Sequence, residues 1–277
     1  MTTKKVCVVV GLGLGSGAAL GRRFTAEGYA VALLARTIDA SGPLAATLAG
    51  AGGYGCDVTD AAAVARTFEA IEREMGPIST LIYNTGAGPR GTVEDIDPTV
   101  LEGAFRLNTL GLLLAAKQVI PKMKAQGGGN IVVIGAASSR RGTARTAGFA
   151  PAKAAQRNLT ESMARHLWPH NIHVSFIIVD DAFGPPRKQP AMQDKRDDTF
   201  IKPNDLADLA FRLTTQPRYA WSFDVEARPL FATLQETAVV PNGHGATSKL
   251  SPQRAAKQTS AVERSPARLT STRPSSL

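Results

Sequence analysis

The chain of 277 residues is poor in cysteine, histidine and aromatic side chains, and each shortage excludes a class of protein. Cys7 and Cys56 are the only two cysteines, too few for a disulfide framework, and they form no zinc-ligand spacing with the four histidines. Both lie in predicted strands and are expected to be small buried hydrophobic residues. No stretch approaches the roughly 18 unbroken apolar residues that cross a membrane, and no signal-peptide core precedes the first strand. We therefore expect a soluble cytoplasmic protein with no metal and no membrane partner.

The positive charge is unevenly distributed. The net charge is +9 and the pI about 9.8, but residues from Pro241 onward carry six Lys or Arg side chains against Glu263 alone, a net +5. This segment has no aromatic residue and is rich in Ser, Thr, Pro and Ala, so it cannot bury enough surface to fold. We predict one folded domain over residues 1–240 and a basic, low-complexity, disordered tail over residues 241–277. A solvated tail is favoured over nonspecific polyanion binding, and no specific nucleic-acid partner is expected.

Short apolar runs alternate with helix-period segments along the chain. This βαβ pattern predicts an α/β fold, a Rossmann-type doubly wound parallel sheet of about seven strands with helices on both faces, in a single domain. The strands are predicted near Lys5–Val10, Tyr29–Ala35, Tyr54–Cys56, Ile78–Tyr83, Asn130–Ile134, His173–Val179 and Ala220–Val225.

Capping residues and prolines indicate the helices between these strands. The predicted helices run from Thr59-Asp60 to Met75, from Asp97-Pro98 to Gly127 with a kink at Pro121, from about Gly148 to Trp168, and from Lys202 to near Thr215. The polar, proline-containing segment 181–201 follows a strand. It is interpreted either as a substrate lid or as a plain surface connection.

The strongest functional signal is a glycine run between the first strand and the first helix. Residues 6–17 read V-C-V-V-V-G-L-G-L-G-S-G, with glycines at Gly11, Gly13, Gly15 and Gly17. Glycines allow a sharp turn and a close approach of the backbone to a pyrophosphate, while the following helix directs free N–H groups and its positive dipole end at it. A tight turn alone would explain one or two glycines, so four at this spacing predict a dinucleotide site.

Taken with later segments, the chain resembles the short-chain dehydrogenase/reductase family over about Lys4–Leu234. The glycine motif of that family corresponds to Gly11, Gly15 and Gly17, and its N-x-G motif after the fourth strand to Asn84-Thr85-Gly86. The resemblance implies a nicotinamide cofactor and assigns cofactor contacts to these residues.

The same resemblance assigns roles to three further side chains. It places Asp57 at the adenine amino group, Asn108 where the family organises a proton-relay water, and Lys153 at the nicotinamide ribose hydroxyls. Taken singly, each also has a structural explanation, as a helix cap, a helix-surface amide or a solvated charge.

The chain departs from the family at the catalytic acid. Four residues before Lys153, where the family has tyrosine, the sequence F-A-P-A-K places Phe149, and the serine position is occupied by Ala136, with Ser138 and Ser139 as the nearest hydroxyls. A phenyl ring cannot donate a proton. The segments G-A-A-S-S-R-R-G and A-W-S-F-D-V-E-A-R-P are similar to a branch of the family that carries phenylalanine with a retained lysine. A further departure is Val179-Asp180-Asp181, where most members have proline-glycine.

The end of the second strand indicates the cofactor. Arg36 stands about where an acidic residue would bind the ribose hydroxyls of NAD, and a guanidinium can instead pair with a 2′-phosphate. NADP(H) is therefore preferred. Asp39, three residues later, keeps NAD(H) possible, and Arg22 and Arg23 either assist or form a solvated basic face.

Two functions follow from these residues. The first is an NADP(H)-dependent oxidoreductase acting on the carbonyl or alcohol of a small molecule, in which Ser139, or water held by Lys153, replaces the missing acid. The alternative is a catalytically silent NADP(H)-binding sensor or partner subunit.

The resemblance also implies a homodimer or homotetramer formed through the helices over Pro98–Ala125 and Gly148–Trp168. The apolar residues Leu110, Leu112, Leu113 and Leu114 either contribute to that surface or simply cover the sheet.

Overall fold

The computed structural model describes residues 4–12, 15–86, 90–180 and 201–229. Segment 181–200, most of the predicted lid or connection, and the tail 241–277 lie outside the described residues, as does Gly13. The strands are β1 (Val6–Val10), β2 (Ala30–Ala35), β3 (Ala51–Gly55), β4 (Ile78–Tyr83), β5 (Gly129–Ile134), β6 (Ile172–Val179) and β7 (Asp224–Ala227). The helices are α1 (Ser16–Ala26), α2 (Ile38–Ala45), α3 (Ala61–Met75), α4 (Pro98–Phe105), α5 (Gly111–Ala125), α6 (Ala150–Leu167) and α7 (Pro203–Thr214).

The seven strands form one parallel sheet in the order β3-β2-β1-β4-β5-β6-β7. The predicted doubly wound fold is confirmed. The strand order runs outward from β1 in both directions, so β1 and β4 meet where the winding reverses. In open α/β sheets such a reversal creates a crevice at the carboxyl ends of the strands.

Apolar residues cover both faces of the sheet. In β1, all five side chains are buried, with Val6, Val8 and Val10 on one face and Cys7 and Val9 on the other. The first face packs against α3, α5 and α6, and the second against α1 and α7. This two-sided burial explains why β1 reads as a continuous apolar run rather than an alternating one.

Two strands differ from the prediction. β3 begins at Ala51 rather than Tyr54, because its glycines admit α2: a Cβ on Gly53 would lie 2.8 Å from the backbone of Gly42. β7 begins at Asp224 rather than Ala220, because Arg218–Ala220 forms a 3₁₀ turn and the Trp221 ring stacks on His173 with centroids 4.7 Å apart. The predicted starts of both strands are wrong because local composition does not reveal this packing.

The long predicted helix is interrupted, but not at Pro121. α4 and α5 are joined by a π-helical turn at Arg106–Leu110, and α5 continues through Pro121 to Ala125. The predicted caps are present at Asp60, which accepts from the Ala62 N–H, and at Asp97, which accepts from the Thr99 N–H. The turn at Arg106–Leu110 matters because it contains Asn108.

Several smaller expectations can be compared with the described part of the chain. Cys7 and Cys56 are both buried and unpaired, as predicted. Leu112 is fully buried and covers the sheet, whereas Leu110 and Leu113 are exposed. Among the described residues, no helix is long and apolar enough to span a membrane, and no three His, Cys, Asp or Glu side chains are grouped as metal ligands.

Candidate functional site

A cleft of about 590 Å³ opens at the carboxyl ends of β1, β2, β3 and β4. Gly11 and Leu12 follow β1 and form one wall, Arg36 follows β2, Asp57 follows β3, and Gly86 follows β4. The cleft therefore lies where the strand order reverses, the usual ligand position in this architecture. It brings together side chains that are far apart in the sequence.

The glycines at the end of β1 allow the cleft to form. Gly11 has φ of 92°, and a Cβ there would lie 2.8 Å from the Cβ of Thr85. Gly15 caps α1 with φ of 102°. At Gly17 a Cβ would lie 2.4 Å from the Cα of Leu12 and 2.5 Å from the Gly11 carbonyl oxygen. Close contacts exclude a side chain at Gly11 and Gly17, and the positive φ disfavours one at Gly15. The amino end of α1 faces the loop with N–H groups suited to an anion.

Asn84 holds this loop from the neighbouring strand. Its side-chain amide donates to the Gly11 carbonyl at 2.8 Å and to the Ser16 hydroxyl at 3.1 Å. The Asn84 N–H donates to the Val10 carbonyl at 2.9 Å. Asn84 therefore ties β4 to the glycine loop and to the start of α1.

Arg36 and Asp57 lie together at the far end of the cleft and are both exposed. The Asp57 carboxylate accepts from the Thr59 N–H at 2.9 Å and from the Thr59 hydroxyl at 2.8 Å. These hydrogen bonds lower the pKa of Asp57, and the nearby positive charge of Arg36 lowers it further. Asp57 is not the cap of α3, which is Asp60.

Lys153 lies beside Gly86, which lines the cleft, and only 3% of its surface is exposed. Its amine donates to the Ile134 carbonyl at 3.3 Å and to Gln156 Oε1 at 2.9 Å. Desolvation by burial lowers the pKa of Lys153 to about 7. A Cβ on Gly86 would lie 2.7 Å from the Lys153 amine and 3.0 Å from Asn108 Oδ1, so the glycine allows these two groups to meet at the cleft.

Asn108 is fully buried in the π-helical turn. The side-chain amide of Asn108 donates to the Ala104 carbonyl at 2.8 Å, and the main-chain carbonyl of Asn108 accepts from Gln156 Nε2 at 2.8 Å. The Tyr83 hydroxyl donates to the Leu107 carbonyl at 2.6 Å and so ties the same turn to β4. Isolated π-helical turns frequently occur at functional sites, because they redirect backbone groups out of the regular ladder.

Phe149 precedes the first turn of α6, and its ring lies beside Lys153, with 5.8 Å between the amine and the ring centroid. Ser139 is buried, and its hydroxyl donates to the Ala136 carbonyl at 2.6 Å. A hydroxyl is therefore present in the short turn Ala137–Ser139, which contacts α6, although Ala136 itself carries none. No phenol occupies the position beside the lysine.

Sequence reasoning did not find Gln156 or the ionic cluster at Asp180. The Asp180 side chain is largely buried and pairs with Arg228 at 3.0 Å and with Arg141 at 3.4 Å. In the sequence Asp180 stands out only as a departure from proline-glycine, because no spacing pattern links it to two arginines from separate loops. Gln156 lies one turn beyond Lys153 on α6, a helical spacing that could have indicated contact between them.

The model of the short chain dehydrogenase family matches residues 5–180, more than half of the chain. Together with the parallel sheet and the glycine loop, this match establishes the class: the chain belongs to the short chain dehydrogenase family.

Individual relatives are similar at moderate identity. Over 170 residues the chain is 29% identical to the 3-oxoacyl-[acyl-carrier-protein] reductase MabA of Mycobacterium tuberculosis, a match that covers 61% of this chain and 66% of MabA, just under two thirds of its length. It is 30% identical over 181 residues to the short-chain reductase protein NovJ of Streptomyces niveus, with 64% and 69% covered.

Solved structures show the same fold. A short-chain dehydrogenase from Rhodopseudomonas palustris superposes with a TM-score of 0.70 at 27% identity, covering 81% of this chain and 98% of the other. An NAD⁺-bound xylitol dehydrogenase gives a TM-score of 0.74 at 25% identity, covering 83% and 100%.

Proposed function

We propose that the chain is a nicotinamide-dependent oxidoreductase that prefers NADP(H) and acts on the carbonyl or alcohol group of a small molecule. One observation carries this proposal. Gly11 and Gly86 line the cleft and Gly17 lies in the adjoining turn of α1, and at all three a Cβ would collide with neighbouring atoms; Arg36 lines the cleft as well, and the Lys153 amine lies against Gly86. A long anionic ligand with two separated recognition points fits these features.

The residues divide between the parts of a dinucleotide. The N–H groups at the start of α1 and the loop around Gly11 and Gly15 would hold the pyrophosphate. Asp57 and Arg36 would hold the adenosine end, and Lys153 the hydroxyls of the nicotinamide ribose. When bound, a nicotinamide supplies or accepts the hydride. Asn84 keeps the loop closed against β4 by its two hydrogen bonds.

The preference for NADP(H) rests on Arg36. Its side chain is exposed at the end of β2, and a guanidinium can form two parallel hydrogen bonds with a phosphate. The carboxylate of Asp57 is held in place near Arg36 by the N–H and the hydroxyl of Thr59. Asp39 lies in the first turn of α2 and keeps NAD(H) as the less favoured alternative.

The proton donor must differ from a phenol, because Phe149 cannot supply a proton. We propose that the donor is the Ser139 hydroxyl or a water held by the Lys153 amine. Loss of a well-placed general acid typically costs about 10² to 10⁴ in rate, so turnover should be slow.

The presence of Phe149 in place of a tyrosine also favours a second function. With Phe149 beside an amine that donates to two protein acceptors, the site is suited to binding and poorly suited to proton transfer. A catalytically silent NADP(H)-binding sensor or partner subunit would keep the glycine loop, Arg36 and Lys153 and need no acid.

Calorimetric titration with NADPH and NADH, followed by a turnover screen over a panel of small carbonyl compounds, distinguishes these functions. Tighter binding of NADPH with measurable reduction supports the oxidoreductase. Tight binding with no hydride transfer to any substrate selects the sensor. Affinity for neither coenzyme rejects both proposals.

We also propose self-association, as a homodimer or homotetramer, through the exposed face around Leu110 and Leu113. Ultracentrifugation of the native chain and of Leu113→Arg tests it. Dissociation of the variant into monomers supports the proposal, and a monomeric native chain rejects it.

A further inference from the structure

The side chain of Gln156 makes two hydrogen bonds to residues of the candidate site. Its Oε1 accepts from the Lys153 amine at 2.9 Å, and its Nε2 donates to the Asn108 carbonyl at 2.8 Å. Gln156 is fully buried, so bulk water does not compete for either hydrogen bond of its carboxamide. The amide therefore bridges α6 to the π-helical turn.

The geometry explains why both partners need the bridge. A regular helix would direct the Asn108 carbonyl along the helix axis, but in the π-helical turn it accepts a hydrogen bond from α6. The Lys153 side chain has four rotatable bonds, so the acceptors around it help to define where its amine lies. Ile134 offers one acceptor at 3.3 Å, and Gln156 offers the closer one.

The position in which Gln156 holds the Lys153 amine lies at the wall of the cleft. The Lys153 amine lies so close to Gly86 that a Cβ there would come within 2.7 Å of it. Rotation of Gln156 would remove the acceptor from Lys153 and the donor from Asn108 together, since one carboxamide supplies both.

We propose that Gln156 is a positioning residue for Lys153: its carboxamide holds the lysine amine at the cleft by anchoring it to the main chain of Asn108. The inference rests on the proposed function in so far as Lys153 binds a coenzyme, but the contact itself can be measured without one. Gln156 does not touch a ligand under this proposal and acts only through Lys153.

The first experiment needs no coenzyme. The free energy of urea unfolding is measured as a function of pH for each chain and for the same chain carrying Lys153→Met. The difference between the two curves gives the pH midpoint of the Lys153 titration. Gln156→Glu would place a carboxylate beside the amine and is expected to raise the titration midpoint by at least about one pH unit. The matched control Asn158→Asp introduces the same charge at an exposed position of α6 and should leave the midpoint within about 0.3 unit. An unchanged midpoint in Gln156→Glu would overturn the proposal.

The second experiment measures NADPH affinity by calorimetry. Gln156→Met, which keeps the length of the side chain without its hydrogen bonds, should weaken binding about tenfold in the native background and less than twofold in Lys153→Met. Equal weakening in both backgrounds would show a general structural role and overturn the proposal. If the native chain binds neither coenzyme, the proposed function fails, and the titration experiment alone decides the role of Gln156.

Discussion

The amine of Lys153, in the first turns of α6, lies 5.8 Å from the centroid of the ring of Phe149, the residue immediately before that helix. At this distance the ring face can attract a cation, but it cannot exchange a proton with one. The pair lacks the hydroxyl with which a tyrosine at this position could donate a proton.

Phe149→Tyr restores that hydroxyl at the helix end beside Lys153. We expect carbonyl reduction to rise by about 10² or more, because a positioned general acid is worth roughly 10² to 10⁴ in rate. Initial rates with NADPH over a carbonyl panel provide the measurement, and Phe211→Tyr on α7 is the control for adding a phenol elsewhere. Absence of turnover in both the native chain and Phe149→Tyr would count against the oxidoreductase.

Replacement of Arg36 should change coenzyme choice. Arg36→Ala removes the guanidinium proposed to pair with the 2′-phosphate, so NADPH affinity should fall about tenfold or more while NADH affinity stays nearly constant. Calorimetry with both coenzymes gives the ratio. Arg66→Ala, an exposed arginine on α3, is the matched control for loss of one positive charge. Equal losses for NADPH and NADH would contradict the assignment of Arg36 to the phosphate.

Gly17→Ala should damage the site and the fold together. Its Cβ would lie 2.4 Å from the Leu12 Cα and 2.5 Å from the Gly11 carbonyl oxygen, so the loop must move, at a cost of about 1–3 kcal/mol in the free energy of unfolding. Urea unfolding and NADPH titration measure both effects. At Gly103 on α4, a Cβ meets no described atom within 4 Å, so Gly103→Ala should be neutral or stabilising by up to about 1 kcal/mol. A stable Gly17→Ala chain with native affinity would refute the close-approach argument.

The buried amine of Lys153 predicts a specific pH dependence of stability. Burial lowers its pKa in the folded chain to about 7, whereas the unfolded chain has the ordinary value of 10.5. Between these values the unfolded state binds the extra proton, so stability should rise with pH by up to about 1.4 kcal/mol per pH unit and stay flat below pH 7. The comparison is urea unfolding of the native chain against Lys153→Met from pH 6 to 10. A difference that does not vary with pH would exclude a shifted lysine.

Removal of the basic tail tests the predicted domain boundary. A chain ending at Val240 loses the net +5 of residues 241–277 and should keep the NADPH affinity of the full chain. Any weak, salt-sensitive binding to a polyanion such as heparin should disappear, because that binding depends on clustered Lys and Arg. Coenzyme titration and heparin retention measure the two effects, and loss of NADPH binding would place the tail within the functional unit.

The sequence was most informative where local chemistry decides the structure. The apolar run of β1, the caps at Asp60 and Asp97 and the glycine run all act within a few residues, and they predicted the sheet and the cleft. β3 and β7 were misplaced because their limits depend on contacts with other elements, α2 against Gly53 and His173 against Trp221.

Gln156 and Asp180 show the same limit within the site. Each acquires its role from partners that the fold brings together: Asn108 is 48 residues from Gln156, and Arg141 is 39 residues from Asp180. The motif residues could be named from their order along the chain. Their supporting contacts could be found only in three dimensions.

The two buried cysteines give the chain a pair of internal reporters. Cys7 lies in β1, inside the sheet, and Cys56 lines the cleft; both side chains are buried, and burial raises the pKa of both thiols, which disfavours the reactive thiolate. An alkylating reagent can reach Cys7 only when β1 separates from its neighbours, and Cys56 only when the cleft opens locally. These two openings need not occur together. The reaction rate of Cys56 would then report local opening of the cleft, which a coenzyme bound as proposed would suppress, whereas the reaction rate of Cys7 would report unfolding of the whole sheet.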